Sequence, residues 1–313
     1  MSVKQPEIVP ADPVGIAAAA ARLRAGEPVA VPTETVYGLA ATACDDGAVA
    51  AIYRAKGRPD FNPLIVHVAD VAAGQRLAIF DGRALALAQA FWPGALTMVL
   101  PQRADSGLAA AVTAGLPTVA LRCPAHPVMR AVLAAAGVPL AAPSANRSGG
   151  VSPTTAGHVA ASLAGRIGMV LDGGACAEGL ESTIVALRPD GWQVLRPGPV
   201  TAQVIAQVLG EGELTRAASG IEAPGQLASH YAPGKPVRLG AERAEADEYH
   251  IGFGAVMGDV TLSATGDLAE AASRLYACLH LAAAAPQPRV AVAPVPDAGI
   301  GAAVNDRLRR AAA

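Results

Sequence analysis

The chain has 313 residues, 52% hydrophobic and 16% charged, with a formal net charge of −2. That length suits two domains, the composition supports a large core and excludes bulk disorder, and the balanced charge argues against a dedicated nucleic-acid binder, which carries a basic excess. With no 18-residue apolar run, no apolar leader after Met1, and four cysteines (Cys44, Cys123, Cys176, Cys278) without a CxxC pair, a cytoplasmic protein with reduced thiols is expected, free of membrane span, secretory signal, zinc site or disulfide framework.

Short apolar runs alternate with helical segments. Strands are expected at 27–32, 64–68, 96–100, 118–122, 140–142, 169–171, 183–187 and 193–195. Helices are expected at 46–56, with Asp45 or Asp46 as N-cap, at 83–91 and at 154–163. The alanine run at 17–21 also reads as helix. This mixture implies an α/β fold with a large twisted mixed sheet and flanking helices. Around 211–236 Gly, Pro, Ser and Ala dominate and apolar periodicity disappears, the texture of a linker. Strands at 236–239, 249–253 and 289–293, with helices at 267–284 and 302–310, then make a small Rossmann-like α/β domain. The expected organisation is a catalytic domain over 1–210, a linker over 211–236 and a C-terminal domain over 237–313.

No P-loop, HExxH, GxSxG or EF-hand pattern occurs, and the glycine cluster from Gly252 to Gly258 misses dinucleotide spacing and reads as a turn. Four polar clusters stand out. PTETVYGL (32–39) follows an apolar strand, where α/β sheets gather ligands, though a hydroxyl-rich turn has the same composition. Lys56 and Arg58 flank Gly57 at a helix end. They suit a polyphosphate clamp, and equally the charge that complements a helix dipole. APSANRSGG (142–150) with SPT (152–154) offers an anion nest before a helix N-terminus, or an ordinary capped loop. EST (181–183) and LRPG (195–198) are bland singly.

Together these clusters resemble the YrdC-like domain of threonylcarbamoyl-AMP synthases. The matching text is PTETVYGL, AKGRP with NPLIVHV, FWPGALTMVL, APSANRSG with SPT, and ESTIV with LRPG, running from about Val14 to Val200. SHYAPGKPV (229–237) resembles the interdomain linker of the longer, two-domain form, and GDLAEAASRLYA and NDRLRRAA resemble its C-terminal domain. One departure is Gln226-Leu-Ala-Ser229, where many relatives carry basic residues before HYAP.

The resemblance implies that ATP is held by Lys56, Arg58, Asn62, Thr118, Ser144, Asn146, Ser152, Arg196 and Tyr231, and threonine by Thr35, His67, Arg122, Ala142 and Ser182. Lys56 and Arg58 are the expected catalytic pair. The implied reaction joins L-threonine, bicarbonate and ATP into threonylcarbamoyl-AMP and pyrophosphate, for tRNA modification. It implies Mg2+ accompanying ATP, with metal ligands unassigned, and a product passed to a separate tRNA threonylcarbamoyl transferase complex. Direct RNA binding is a secondary expectation. A related carbamoyl-adenylating enzyme that uses carbamoyl phosphate is the rival within the same fold, but such relatives carry acylphosphatase and zinc-finger modules that this chain lacks.

Overall fold

The structure, a computed structural model, describes residues 4–215 and 220–313; positions 216–219 of the expected linker, and the first three residues, lie outside the described residues. The first part of the chain supplies ten strands: β1 (Glu7–Pro10), β2 (Val29–Val31), β3 (Gly38–Thr42), β4 (Ile65–His67), β5 (Leu96–Pro101), β6 (Thr118–Arg122), β7 (Leu140–Ala141), β8 (Met169–Asp172), β9 (Thr183–Arg188) and β10 (Gly191–Arg196). Between and after them run α1 (Pro13–Arg24), α2 (Asp46–Lys56), α3 (Val71–Gln75), α4 (Gly82–Phe91), α5 (Ala110–Thr113), α6 (Pro127–Ala136), α7 (Ala156–Ser162) and α8 (Ala202–Leu209).

The ten strands form one mixed sheet in the order β1-β8-β2-β3-β7-β4-β6-β5-β9-β10. Helices cover both faces, so alternate residues of one strand enter different cores. In β2, Ala30 packs toward α2, α4 and α7, whereas Val29 and Val31 pack toward α1 and α6; Val170 of β8 divides from Met169 and Leu171 in the same way. Most helices start on a short polar cap. Asp12, Asp45, Asp70, Asp81, Thr155 and Thr201 each accept a backbone N–H of the first turn. Strand β3 and helices α6 and α8 lie outside the sequence expectation. The GLAAT of β3 has little intrinsic strand preference, and antiparallel pairing with β2 and β7 imposes its state.

The rest of the chain contributes β11 (Val237–Leu239), β12 (Glu248–Gly252), β13 (Val260–Thr261), α9 (Leu268–Ala284), β14 (Arg289–Val292) and α10 (Gly301–Ala311). Its four strands are all parallel, in the order β11-β14-β12-β13. The glycine cluster at its centre is a turn, closed by a Phe253–Val256 bridge. Val36, Val151 and Leu180 of the large domain join the apolar core of this smaller one, together with linker residue Tyr231. Parts of the linker are thus packed rather than loose: Ala223 and Tyr231 are buried, His230 N donates to Arg310 O at 3.1 Å, and Ala232 N donates to Gly149 O at 2.9 Å. Among the described residues, no helix is long and apolar enough to cross a membrane.

Candidate active site

A cleft of about 540 Å³, open solvent included, lies between the large sheet and the linker. Its walls come from strand ends and the loops that follow them: Thr33 to Val36 after β2, His67 on β4, Arg122 on β6, Ala142 to Ser144 after β7, Ser182 before β9, and Arg196 on β10. The linker closes it with Gly225, His230 and Tyr231.

One end is organised by Arg122. Its guanidinium donates to Thr35 Oγ1 at 2.8 Å, to Glu34 Oε1 at 2.6 Å and to Gly94 O at 3.1 Å. Burial would raise the Glu34 carboxyl, but Arg122 and the Ala125 amide overcome it and hold it at about 2. Glu34 is therefore ionised, and the arginine is held rigidly with one face toward the cavity. His67 stands beside it, with Nδ1 buried and unpartnered. Burial, with Arg122 second, pushes that imidazole down to about 3, so it is neutral.

The other end is cationic. Helix α2 ends on Gly57, whose φ of 61° is the left-handed conformation that glycine adopts freely. The chain turns sharply there, and Arg58 points back into the wall. Its Nε donates to Asn62 O at 3.1 Å, and its Nη2 donates to Asn62 Oδ1 at 2.6 Å and Pro63 O at 2.8 Å. Lys56 directs its ammonium into the 144–146 loop, donating to Ser144 O and Asn146 O, each at 2.6 Å. Burial, with Arg58 second, pushes this lysine well below its ordinary range. Arg196 donates to Ser182 O at 3.1 and 2.9 Å and to Ser182 Oγ at 3.1 Å. Gly225 of the linker lies directly on it, where a Cβ would stand 2.7 Å from Arg196 Cδ.

Behind Arg196 is a buried polar knot shared by both domains. Glu181 Oε1 accepts from Ser152 Oγ at 2.5 Å, and Oε2 accepts from Tyr276 OH at 2.7 Å and Arg307 Nε at 3.0 Å. Arg307, fully buried on α10, also donates to Pro197 O at 2.9 Å and lies over the Tyr231 ring, 5.4 Å from its centroid. Burial raises Glu181, but Arg307 and Arg196 dominate and keep it at about 2.

Nine of the residues singled out from sequence line the cavity: Thr35, Arg58, His67, Arg122, Ala142, Ser144, Ser182, Arg196 and Tyr231. Lys56, Asn62, Asn146 and Ser152 lie one bond behind it, each holding a wall residue or its loop. Thr118 begins β6 beside Pro101, four residues from Arg122 and off the wall. Sequence reasoning missed Glu34, Glu181, Tyr276 and Arg307. Glu34 and Glu181 sat inside the chosen clusters, where a carboxylate beside predicted arginines was a usable signal. Nothing local marked Tyr276 or Arg307.

A large mixed sheet docked to a small parallel one, with an arginine-lined cavity between the large sheet and the linker and braced from behind by the small domain, defines a two-domain α/β enzyme that handles anions. A family profile described as "Telomere recombination", covering Sua5, YciO and YrdC, matches residues 21–198, and one described as "Threonylcarbamoyl-AMP synthase, C-terminal domain" matches residues 200–313. The Bacillus subtilis threonylcarbamoyl-AMP synthase is 41% identical over 321 residues, spanning 95% of this chain and 92% of that protein. A crystal structure of Pyrococcus abyssi Sua5 complexed with L-threonine superposes with a TM-score of 0.90 at 35% identity, covering 98% of this chain and 97% of that one. The chain belongs to the threonylcarbamoyl-AMP synthase family, in its two-domain form.

Proposed function

We propose that the chain forms L-threonylcarbamoyladenylate and pyrophosphate from L-threonine, bicarbonate and ATP, as a cytoplasmic step toward threonylcarbamoyladenosine in tRNA. The observation that carries this reading is the single cavity with two unlike ends. Arg122, Thr35 and Ser182 suit a small amino acid with a carboxylate and a hydroxyl, and Arg58 and Arg196 suit a polyphosphate.

The reaction needs no enzyme nucleophile. Ser182 Oγ bonds to Thr97 and Arg196, not to a histidine base. The threonine amine, once neutral, adds to carbon dioxide derived from bicarbonate and loses a proton, leaving a carbamate. A carbamate oxygen then attacks the α-phosphorus and the bond to the bridging oxygen of pyrophosphate breaks. Catalysis by the chain is then positioning and charge neutralisation. Arg122 orients the amino acid by its carboxylate, and Arg58 and Arg196 receive the phosphates. Lys56 fixes the 144–146 loop, and an incoming polyphosphate opposes the push that burial exerts on its ammonium. Tyr231, over the cavity on a packed linker, excludes water from the acyl phosphate.

Among the described residues no cluster of three His, Cys, Asp or Glu side chains is arranged for a metal, and the Glu181 carboxylate is filled by Arg307, Ser152 and Tyr276. This fits Mg2+ carried by the triphosphate oxygens and water rather than by the protein. Bound in that way it would neutralise phosphate charge. The adenylate would pass to a separate tRNA threonylcarbamoyl transferase complex. Pyrophosphate release measured with each substrate omitted in turn tests the reading. Release should require ATP, threonine and bicarbonate together, and release unchanged without threonine would sink it.

A further inference from the structure

Two hydroxyls on the cavity wall stand against arginines, and their protons have different outlets. Thr35 Oγ1 accepts from Arg122 Nη1 at 2.8 Å and lies 2.9 Å from Thr33 Oγ1. Thr33 spends its own proton on Val36 O at 2.6 Å, so it faces Thr35 as an acceptor. The Thr35 proton therefore has a home inside its own loop. Ser182 Oγ accepts from Arg196 Nη2 at 3.1 Å and lies 2.8 Å from Thr97 Oγ1. Thr97 is fully buried on β5, and its hydroxyl has Ser182 Oγ as its one hydrogen-bond partner among the described residues. The sheet fixes the pair. Strand β5 runs parallel to β9 with Leu96 opposite Thr183, and Thr183 N donates to Ala95 O at 3.0 Å. The next residue on the Thr97 face is Val99, which packs with Ile65, Ala120 and Ile184, so this side of the strand is apolar.

A hydroxyl carries one proton and two acceptor lone pairs. If Ser182 gave its proton to Thr97, the Thr97 proton would be buried without an acceptor, and an unmade bond of that kind is costly. With Thr97 as the donor, the Thr97 proton is satisfied, and Ser182 accepts from both Thr97 and Arg196. Its own proton is then left for the cavity that it lines. We infer that Thr97 is a positioning residue: with Arg196 it fills the acceptor side of Ser182, and so makes that hydroxyl a fixed donor to an oxygen of the amino-acid substrate. Arg196 does not depend on the hydroxyl for its place, since its Nε and Nη2 also donate to Ser182 O at 3.1 and 2.9 Å. Thr97, off the wall itself, thus acts on the amino acid through Ser182 and leaves the phosphate end alone. The inference rests on the proposed reading in which Ser182 faces threonine.

The test is steady-state pyrophosphate release by the full chain, with kcat and the KM for threonine and for ATP measured in the wild type, Thr97→Val, Thr97→Ser, Ser182→Ala and the double variant Thr97→Val with Ser182→Ala. Thr97→Val keeps the shape and removes the hydroxyl. It should lower kcat/KM for threonine about three- to tenfold, the size of one ordinary hydrogen bond, with the ATP KM unchanged. Thr97→Ser, which restores the donor, should return to within about twofold of the wild type. In the Ser182→Ala background Thr97→Val should cost nothing further, because the group it positions is gone. A wild-type kcat/KM in Thr97→Val, an equal loss in Thr97→Ser, a loss that persists undiminished without the Ser182 hydroxyl, or a matching rise in ATP KM would each overturn the inference while leaving threonine-dependent release, and so the proposed reaction, intact. Wild-type release that ignores threonine is the separate result that removes the reaction. Should Thr97→Val not fold, Thr97→Ala carries the same comparison against Thr97→Ser.

Discussion

At the Arg122 end of the cavity every bond comes from the large domain: Glu34, Thr35 and Gly94 hold the guanidinium, and His67 stands beside it. At the Arg196 end the large domain again supplies direct bonds, from Ser182 to Arg196 and from Asn62 and Pro63 to Arg58, but a further layer of support comes from elsewhere. Arg307 and Tyr276 reach in from the small domain to hold Glu181, and the linker lays Gly225 and Tyr231 on the wall. The first end can form from the large sheet alone, whereas the second is complete only when the domains dock. Under the proposed function, amino-acid recognition and nucleotide handling depend on different parts of the chain, and variants can separate them.

The largest effect is expected from Arg307→Ala. It strands a buried carboxylate, and breaking such a pair costs about 3–5 kcal/mol. Denaturant unfolding should show a loss of that order, with the ATP KM raised while threonine still binds; equal damage to both substrates would erase the distinction between the ends. The same pair predicts acid sensitivity. Glu181 and Glu34 are depressed from 4.5 to about 2, so their stabilisation is present above about pH 4.5 and is lost as pH falls toward 2. Arg307→Ala should weaken that acid transition by removing one of its two sources.

Next come Arg122 and Arg58, two of the three arginines on the wall. Hydrogen bonds to charged groups contribute about 1.5–3 kcal/mol, so each substitution should cost about tenfold or more. Arg122→Ala should raise the threonine KM chiefly, and Arg58→Ala should fold normally and lose turnover. A wild-type rate in Arg58→Ala would reject the clamp. Smaller still is the choice of threonine over serine. It rests on one methyl group, worth about 1–3 kcal/mol, so serine should be a poor but detectable substrate in pyrophosphate release. Complete exclusion of serine at high concentration would show that more than methyl packing enforces the choice.

The smallest effect on substrate binding is expected at Tyr231, whose ring is also buried in the small domain's core. Its cation–π contact with Arg307 is worth about 0.5–2 kcal/mol. Tyr231→Ala should leave the fold intact but raise ATP hydrolysed per adenylate formed. Nucleotide with threonine should protect the wild-type linker from protease. Equal cleavage with and without ligands, together with an unchanged yield in the variant, would reduce the linker to a tether.

Much of this was legible in the sequence because it is local. The helix over Asp46–Lys56 follows from its Asp45 cap, its apolar spacing and Gly57, and β6 over Thr118–Arg122 follows from its branched apolar run. The clusters named the cavity wall well, since hydroxyls, arginines and glycines after strands mark ligand sites. What stayed illegible depends on distant partners. Strand β3 owes its state to β2 and β7, and the linker, polar and aperiodic in sequence, packs Tyr231 into the core of the small domain. Lys56, read as a phosphate-binding residue by its motif, has its ammonium turned onto a loop some ninety residues later.

By itself the sequence determined the α/β class, the two-part chain, and most of the cationic and hydroxyl side chains that stand in or behind the cavity wall. Only the tertiary structure decided which of them face the cavity and which stand one bond behind, and that Glu181 and Arg307, 126 positions apart, form one buried pair. The physical reason is that capping, helix propensity and strand patterning act within a few residues. Burial of charge is settled only when remote segments exclude water together, and then each ion needs a partner that its neighbours in sequence do not supply.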